Sequence, residues 1–286
     1  MFGYQRVGDL VWAFGDARGR GFMLGATAGR TTLNGEGLQH EDGHSPLLFG
    51  AVPNVRVYDP AFAYELATII SDGLRRMYAD GEDVFYYLTL YNENYPMPAM
   101  PEGVQDGIVR GLYRFRAAEQ QREHHVRLLA GGTALRAALE AQTMLAEHDV
   151  AADVWSVTSF QQLREDALDV ERWNRLHPDS EPRTSYLEQQ LGGADGPVIA
   201  VSDYMKLVAD QIGRFAPQPF VPLGTDGYGR SDTRSRLRSH FETDSRSITV
   251  TALDALARQG RMPRHVVSAA LEQLDVDTEA ANPRIR

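Results

Sequence analysis

A strand, a helix and a second strand follow one another in the first third of the chain, and this order constrains the fold most. Residues 55–58 are typical of a buried strand. Asp59-Pro60 after them indicates a helix start, because Asp can accept hydrogen bonds from free N–H groups and Pro suits the first turn. The helix is predicted to reach about Asp80, and residues 84–90 are β-branched and aromatic, as in strands. The order predicts a parallel sheet with helices on its faces.

The same alternation returns in the second half of the chain. Residues 126–132 predict a strand that runs into a glycine turn, and prolines and glycines between residues 92 and 125 predict a connection between two domains. Later strands are predicted at residues 154–157, 198–201 and 220–223, and two amphipathic helices around Leu253 and Leu274 close the chain. We therefore predict an α/β chain with a partial first domain (1–95), a linker (96–125) and a second domain (126–286).

The first residues predict an amphipathic helix that ends at Gly15-Asp16. Val7, Leu10, Val11 and Phe14 have the spacing of one buried helical face. Because no capping residue precedes this helix, we expect the chain to be cut from a larger protein. An incomplete first sheet would expose apolar edge and face, so limited proteolysis is expected to cut between residues 92 and 125 and to leave a stable C-terminal piece.

Charge and composition exclude several classes of function. The formal net charge of −10 gives the chain no general attraction for nucleic acid or anionic membranes. The dense arginine cluster (Arg230, Arg234, Arg236 and Arg238) lies among acidic residues, and we interpret it as a solvated helix face in preference to a phosphate site. No apolar run approaches the ~18 residues of a membrane span. The absence of cysteine excludes disulfides and a Cys nucleophile and fits a cytoplasmic enzyme, although it leaves the compartment open.

The run from residue 35 to residue 46 is the most informative for chemistry. It places His40, His44 and three carboxylates, among them Glu36, on a glycine-rich segment. Histidine is suited to proton transfer near neutral pH, and glycine lets the backbone approach a ligand closely. Three interpretations stay open on the residues alone: an active-site loop, a structural turn, and a metal site, which the glycines and the absent His-Glu-x-x-His order disfavour.

Other histidines and glycines have plainer interpretations. His124 and His125 are expected to face solvent, and His177, before a proline, is expected to be structural. The run 224–232 could suit an anion after a strand, but we interpret it as a structural turn.

The sequence of residues 31–45 closely resembles the signature of single-polypeptide pyruvate dehydrogenases, the decarboxylating first component of the pyruvate dehydrogenase complex. The resemblance continues in order along the chain, at residues 91–95, 98–101, 156–160, 171–174, 202–206, 224–232 and 282–284. It implies a transketolase-like chain: the later part of a pyrimidine-binding domain, followed by a C-terminal domain.

The resemblance also implies a reaction and its residues. Such enzymes are homodimers that decarboxylate pyruvate on thiamine diphosphate and pass the acyl group to the lipoyl domain of a dihydrolipoyl acetyltransferase. His40 matches a histidine beside the thiazolium and substrate, His44 is expected to share its pocket, and Glu36 could line it. Phe2 matches an aromatic residue that packs near the aminopyrimidine, although a core role fits it nearly as well.

The family's Gly-Asp-Gly motif for diphosphate and magnesium does not occur in this sequence, and its activating glutamate would lie before Met1. We therefore assign no metal site here: magnesium would be held by the missing N-terminal domain, and the chain is expected to be inactive alone. The alternatives are a non-catalytic dimerisation or complex-docking module, and a related transketolase-type enzyme.

Overall fold

The computed structural model describes residues 2–35, 37–193 and 195–285, without the side chains of Phe2 and Gly3. The first part of the chain forms a three-stranded parallel sheet in the order β1-β3-β2. Its elements are α1 (Phe2–Asp16), β1 (Phe22–Ala26), α2 (Ser45–Gly50), β2 (Val55–Tyr58), α3 (Ala63–Leu74), a π-helical turn (Arg75–Ala79) and β3 (Phe85–Leu90). This confirms the predicted parallel strand–helix–strand order.

The second part forms a five-stranded sheet in the order β4-β6-β5-β7-β8, parallel except for β4. Its elements are α4 (Gln105–Arg110), β4 (Leu112–Arg116), β5 (His124–Ala130), α5 (Ala134–Ala146), β6 (Val150–Val157), α6 (Phe160–Leu176), α7 (Tyr186–Leu191), β7 (Val198–Val201), α8 (Lys206–Asp210), a 3₁₀ turn (Gly213–Phe215), β8 (Phe220–Leu223), α9 (Arg234–His240), α10 (Ser245–Arg258) and α11 (Arg264–Gln273).

Helices cover both faces of the second sheet, which explains its nearly continuous apolar strands. Residues of α5, α10 and α11 pack with Leu128 and Val154 on one face. Residues of α6, α7 and α8 pack with Leu129 and Trp155 on the other. In the first sheet, β3 is the central strand, and Phe85, Tyr86 and Leu88 are fully buried.

The first helix forms as predicted, but most of its apolar face is not buried. Among residues 4–16 of this helix, only Val11 and Gly15 are buried, whereas Leu10 is 65% exposed and Val7 and Phe14 are also exposed. The periodicity correctly indicated a helix. The prediction that this face is packed was wrong for the chain by itself, because α2 and β3 contact only one narrow side of the helix.

The start of α3 also differs from the prediction. The helix begins at Ala63, and its free N–H groups are satisfied by Glu65, whose carboxylate accepts from the N–H groups of Ala61 and Phe62. Asp59 is not a cap, since its buried carboxylate accepts hydrogen bonds from the hydroxyls of Thr89 and Tyr91. The Asp59-Pro60 dipeptide therefore does not start the helix, because the Asp59 carboxylate makes tertiary hydrogen bonds instead.

The predicted linker is irregular only in its first part. Residues 91–104 contain no helix or strand, but α4 and β4 follow, and β4 pairs antiparallel with β6 of the second sheet. The division into domains at residues 95 and 126 itself stays a prediction.

Candidate functional site

The loop of residues 27–44 carries both candidate histidines and is fastened to the second part of the chain by Arg30. The Arg30 guanidinium donates to the carbonyl oxygens of Thr225 at 2.5 Å, of Gly227, and of Glu41 at 3.4 Å. Arg30 is only 5% exposed, and burial lowers its pKa. Gly43 leaves room for it, because a Cβ there would lie 2.2 Å from the guanidinium carbon. The run 224–232, predicted to be a structural turn, therefore receives the buried arginine.

Two buried carboxylates hold the far end of the same loop. Glu41 accepts the backbone N–H of Arg230 at 2.6 Å. Asp42 accepts from the N–H groups of His44 at 3.2 Å and Ser45 at 3.0 Å, and so holds the backbone at the start of α2. Burying carboxylates is costly unless they are hydrogen-bonded, so these contacts fix the backbone on either side of the histidines.

The two histidines are left half-buried by these anchors. His44 stands at the N-cap of α2, and burial is the largest of the effects that lower its pKa. Its imidazole is therefore neutral at pH 7 and can accept a proton. The His40 backbone N–H donates to Gly37, and its ring Nε2 lies 3.4 Å from the Gln39 amide nitrogen. The other two candidates, Glu36 and the Phe2 side chain, lie outside the described residues.

The loop also meets the second sheet at Asp203, just beyond β7. Both carboxylate oxygens of Asp203 accept from the Thr31 N–H at 3.2 Å, and the Arg30 N–H donates to the Asp203 carbonyl. Burial raises the pKa of Asp203 to about 6. Sequence reasoning missed this residue, although a carboxylate at the carboxyl end of a parallel strand is a usable signal.

The arginine cluster is mostly not a solvated face. Arg238 pairs with the carboxylate of Glu93, and the Arg234 Nε donates to Thr32 at 2.8 Å. Arg236 is exposed, but Arg230 is partly buried. The predicted helix is present here. The partners of Arg234 and Arg238, however, come from the first part of the chain.

The histidines outside the loop that were interpreted from the sequence lie in β5 or directly after α6. His124 and His125 are partly buried in β5, so the prediction that they face solvent was wrong. The His125 Nε2 is 3.4 Å from an Asp153 carboxylate oxygen. His177 stacks on Trp173, which is a structural contact. Within the described ranges, no group of three or more His, Cys, Asp or Glu side chains could hold a metal ion.

Two further buried carboxylates, Glu65 and Asp59, were missed as such, and Glu65 links α3 to the second sheet. Glu65 accepts the hydroxyls of Tyr113 at 2.6 Å and Ser156 at 2.7 Å, from β4 and β6. Burial raises the pKa of Glu65 and raises that of Asp59 to about 7. No sequence signal distinguishes them, since their partners are distant in the chain.

Family descriptions match both parts of the chain. Residues 1–98 match the pyruvate dehydrogenase E1 component middle domain, and residues 111–244 match the transketolase-like C-terminal domain. The "Pyruvate dehydrogenase E1 component" of Pseudomonas aeruginosa is 54% identical over 99% of this chain, and that of Escherichia coli is 50% identical over 100%.

The chain belongs to the pyruvate dehydrogenase E1 family.

The chain covers 32% of the length of each of these two relatives. Solved structures agree on the fold. Transketolase from Leishmania mexicana superposes with a TM-score of 0.63 at 16% identity, covering 87% of this chain and 32% of that one. A "split gene transketolase, inactive beta4 tetramer" superposes with a TM-score of 0.55 at 17% identity, over 82% of this chain and 67% of that one. In the described ranges, no helix is long and apolar enough to cross a membrane.

Proposed function

We propose that this chain forms part of a pyruvate dehydrogenase that decarboxylates pyruvate on thiamine diphosphate and reductively acetylates the lipoyl group of a dihydrolipoyl acetyltransferase. The relatives that share the E1 name support this proposal, as does the sequence of the histidine loop. A cytoplasmic homodimer, as the resemblance implies, is part of the same proposal.

One observation carries the proposal: the backbone around His40 and His44 is fixed on both sides, while the imidazoles stay partly accessible. Arg30, Glu41 and Asp42 are buried and hydrogen-bonded. Catalytic groups need this kind of support, because small displacements of a proton donor or acceptor reduce the rate strongly. We assign His40 to hydrogen-bond or protonate the developing substrate oxygen. His44, neutral at pH 7, accepts a proton or a hydrogen bond in the same pocket.

The donors in the loop fit one wall of a thiamine diphosphate site. When bound, thiamine diphosphate would supply a nucleophilic thiazolium carbon and an electron sink for the negative charge left by loss of carbon dioxide. The imidazoles of His40 and His44 would face this group, Glu36 would line the pocket, and Phe2 would pack near the aminopyrimidine. We propose that the diphosphate and its magnesium ion are held by residues outside this chain.

Exposed apolar surface on the first part of the chain supports assembly with further polypeptide. Leu10 and Trp12 of α1 are 65% and 45% exposed, and Leu24 of the edge strand β1 is 55% exposed. An interface with further polypeptide would remove such exposed apolar side chains from water. We propose that this surface contributes to the E1 homodimer.

The isolated chain is expected to have no pyruvate decarboxylase activity and to bind thiamine diphosphate weakly. It covers about a third of its relatives' length, and the similar split-gene transketolase is described as inactive. Calorimetry with thiamine diphosphate and magnesium tests this expectation. A dissociation constant of about 1 µM, equivalent to about −8 kcal/mol, would contradict it.

The role of His40 can be tested in a chimera in which this chain replaces the corresponding residues of the Pseudomonas aeruginosa relative. His40→Ala should lower kcat by about 10²–10⁴-fold with a smaller change in KM, the usual contribution of one general acid or base. His265→Ala on α11, an exposed histidine, is the matched control. A loss below about fivefold would assign His40 a structural role and favour the non-catalytic module.

A further inference from the structure

Residues 282–285, which we call the strap, lie against the loop of residues 225–230. Asn282 shapes the strap into a turn, because its side chain accepts the Arg284 N–H at 2.9 Å, a bond to the backbone two residues on that is common for Asn. Pro283 is buried, whereas the other three strap residues are exposed. The strap is therefore an ordered turn that is anchored at one residue.

The strap and the 225–230 loop meet at Gly227, where two backbones approach closely. A Cβ at Gly227 would lie 2.4 Å from the Pro283 carbonyl oxygen and 3.1 Å from the Arg284 Cα. The φ of Gly227 is 94°, a left-handed conformation that favours glycine. The three atoms nearest to such a Cβ all belong to the strap, so Pro283 can be seated here because residue 227 is glycine.

The 225–230 loop also holds the histidine loop, on both sides of His40. The Gly229 N–H donates to the Leu38 carbonyl at 3.0 Å. The Arg230 N–H donates to the Glu41 carboxylate at 2.6 Å. The same short loop thus contacts both the strap and the backbone that carries His40.

A second connection runs from the strap through Arg30 to His44. The Arg30 guanidinium donates to the carbonyl of Gly227, the residue that the strap contacts. Arg30 also fills the space beside Gly43, which directly precedes His44. A shift of Gly227 would therefore act, through Arg30, on the backbone next to His44.

We propose that the strap is a positioning element for the proposed reaction: Pro283 holds the 225–230 loop against the histidine loop and thereby sets the orientation of His40 and His44. The catalytic part of this inference rests on the proposed function. A loop stays ordered only while the backbone that anchors it is itself held, and small displacements of a proton donor or acceptor reduce the rate strongly.

The first test compares the 286-residue chain with a variant that lacks residues 282–286. Without the strap, hydrogen exchange at the Gly229 and Arg230 amides should become at least about tenfold faster, the change expected when a hydrogen bond is no longer held. The His44 pKa, which burial lowers in the parent, should rise toward its ordinary value of 6.5 in an NMR titration of the imidazole. Exchange in β5 and β7 and the titration of His265 should stay unchanged.

Gly227→Ala tests the same contact without shortening the chain, and Gly260→Ala is its matched control. Gly260 has a left-handed φ of 70°, but a Cβ there would meet nothing within 4 Å. Gly227→Ala should speed exchange at the Gly229 and Arg230 amides by about tenfold, whereas Gly260→Ala should not change it. In the chain that lacks the strap, Gly227→Ala should have a smaller effect, because the atoms that its Cβ would displace are absent.

The second test measures turnover in the chimera with the Pseudomonas aeruginosa relative. Removing the strap should lower kcat by about ten- to a hundredfold with a smaller change in the KM for pyruvate, since the strap acts on the position of the imidazoles. An inactive parent chimera counts against the proposed function, and the exchange and imidazole measurements then decide the inference about the strap.

The outcomes separate a positioning role from a general effect on stability. Faster exchange at the two amides together with a raised His44 pKa and a lower kcat supports the inference. Unchanged exchange there overturns it, as does an equal increase of exchange in β5, or an unchanged kcat beside faster exchange. If the shortened chain does not fold, the comparison of Gly227→Ala with Gly260→Ala decides alone.

Discussion

At the residue scale, Asp59 is a carboxylate buried in the protein interior and held there by hydrogen bonds. Its carboxylate accepts the hydroxyl of Thr89 at 2.6 Å and that of Tyr91, and its backbone N–H donates to Thr158 at 2.7 Å. Burial disfavours the charged carboxylate and raises its pKa to about 7 despite these hydrogen bonds. The native state therefore retains a proton that the unfolded chain loses near its ordinary value of 3.8.

This residue gives a prediction about pH and stability. Between about pH 4 and pH 7, folded Asp59 binds more protons than unfolded Asp59, so its contribution to stability falls as pH rises, by at most about 1.4 kcal/mol per pH unit. Asp59→Asn should remove this slope. Urea unfolding of the parent and the variant at several pH values from about 4.5 to 7.5 measures the pH dependence of the free energy of unfolding.

Only the difference between variant and parent isolates this effect, because the raised pKa values of Asp203 and Glu65 act in the same direction. Asp254→Asn, at a partly exposed position on α10, is the control for replacing a carboxylate by an amide. Parallel profiles for Asp59→Asn and the parent would show that Asp59 does not titrate in this range.

At the scale of elements, the turn from α4 into β4 sets where the second sheet begins. Gly111 ends α4 with a φ of 102°, and its carbonyl accepts the N–H groups of Thr158 at 2.9 Å and Ser159 at 3.2 Å. A Cβ at Gly111 would lie 2.5 Å from the Ser159 carbonyl oxygen. Gly103 has a similar left-handed φ of 75° but has nothing within 4 Å of such a Cβ.

These two glycines form a matched pair for mutation. Gly103→Ala should cost about 1–2 kcal/mol, the penalty of a left-handed conformation for an L-residue. Gly111→Ala should cost this amount plus the displacement of β4 from α6, and so about 2–4 kcal/mol in total. Urea unfolding measures both free energies of unfolding. Equal losses would show that the close approach at Gly111 relaxes without cost.

At the scale of the whole molecule, the two sheets share buried contacts. Gln161 of α6 accepts from the Val57 N–H at 2.7 Å and donates to Val55, both in β2. Ile108 and Tyr113 pack in the core of the first sheet. Glu65 and Arg30 add buried polar links between the two parts.

Limited proteolysis should therefore nick the chain without separating its parts. Cuts are expected within residues 91–104, where Met97 and Met100 are exposed and no helix or strand forms. This narrows the interval predicted from sequence, because β4 protects its later part. The nicked pieces should elute together by size exclusion in buffer and separate in urea. Separation without denaturant would show that the shared contacts are too weak to hold the first sheet.

The sequence by itself determined the class of the fold, the family and most elements. Buried parallel strands such as Val55–Tyr58 and Val198–Val201 are recognisable because their apolar runs are local and continuous. The motif around His40 and His44 is likewise contiguous, so the candidate catalytic loop could be found without coordinates.

Only the tertiary structure decided which polar residues are buried and what they contact. Arg30 bonds to Thr225 and Asp59 to Thr89, and such partners are invisible to local periodicity because they are distant in the chain. The exposed apolar face of α1 also could not be predicted from the sequence. Periodicity reports that a face is apolar, whereas burial depends on what the rest of the fold brings against it.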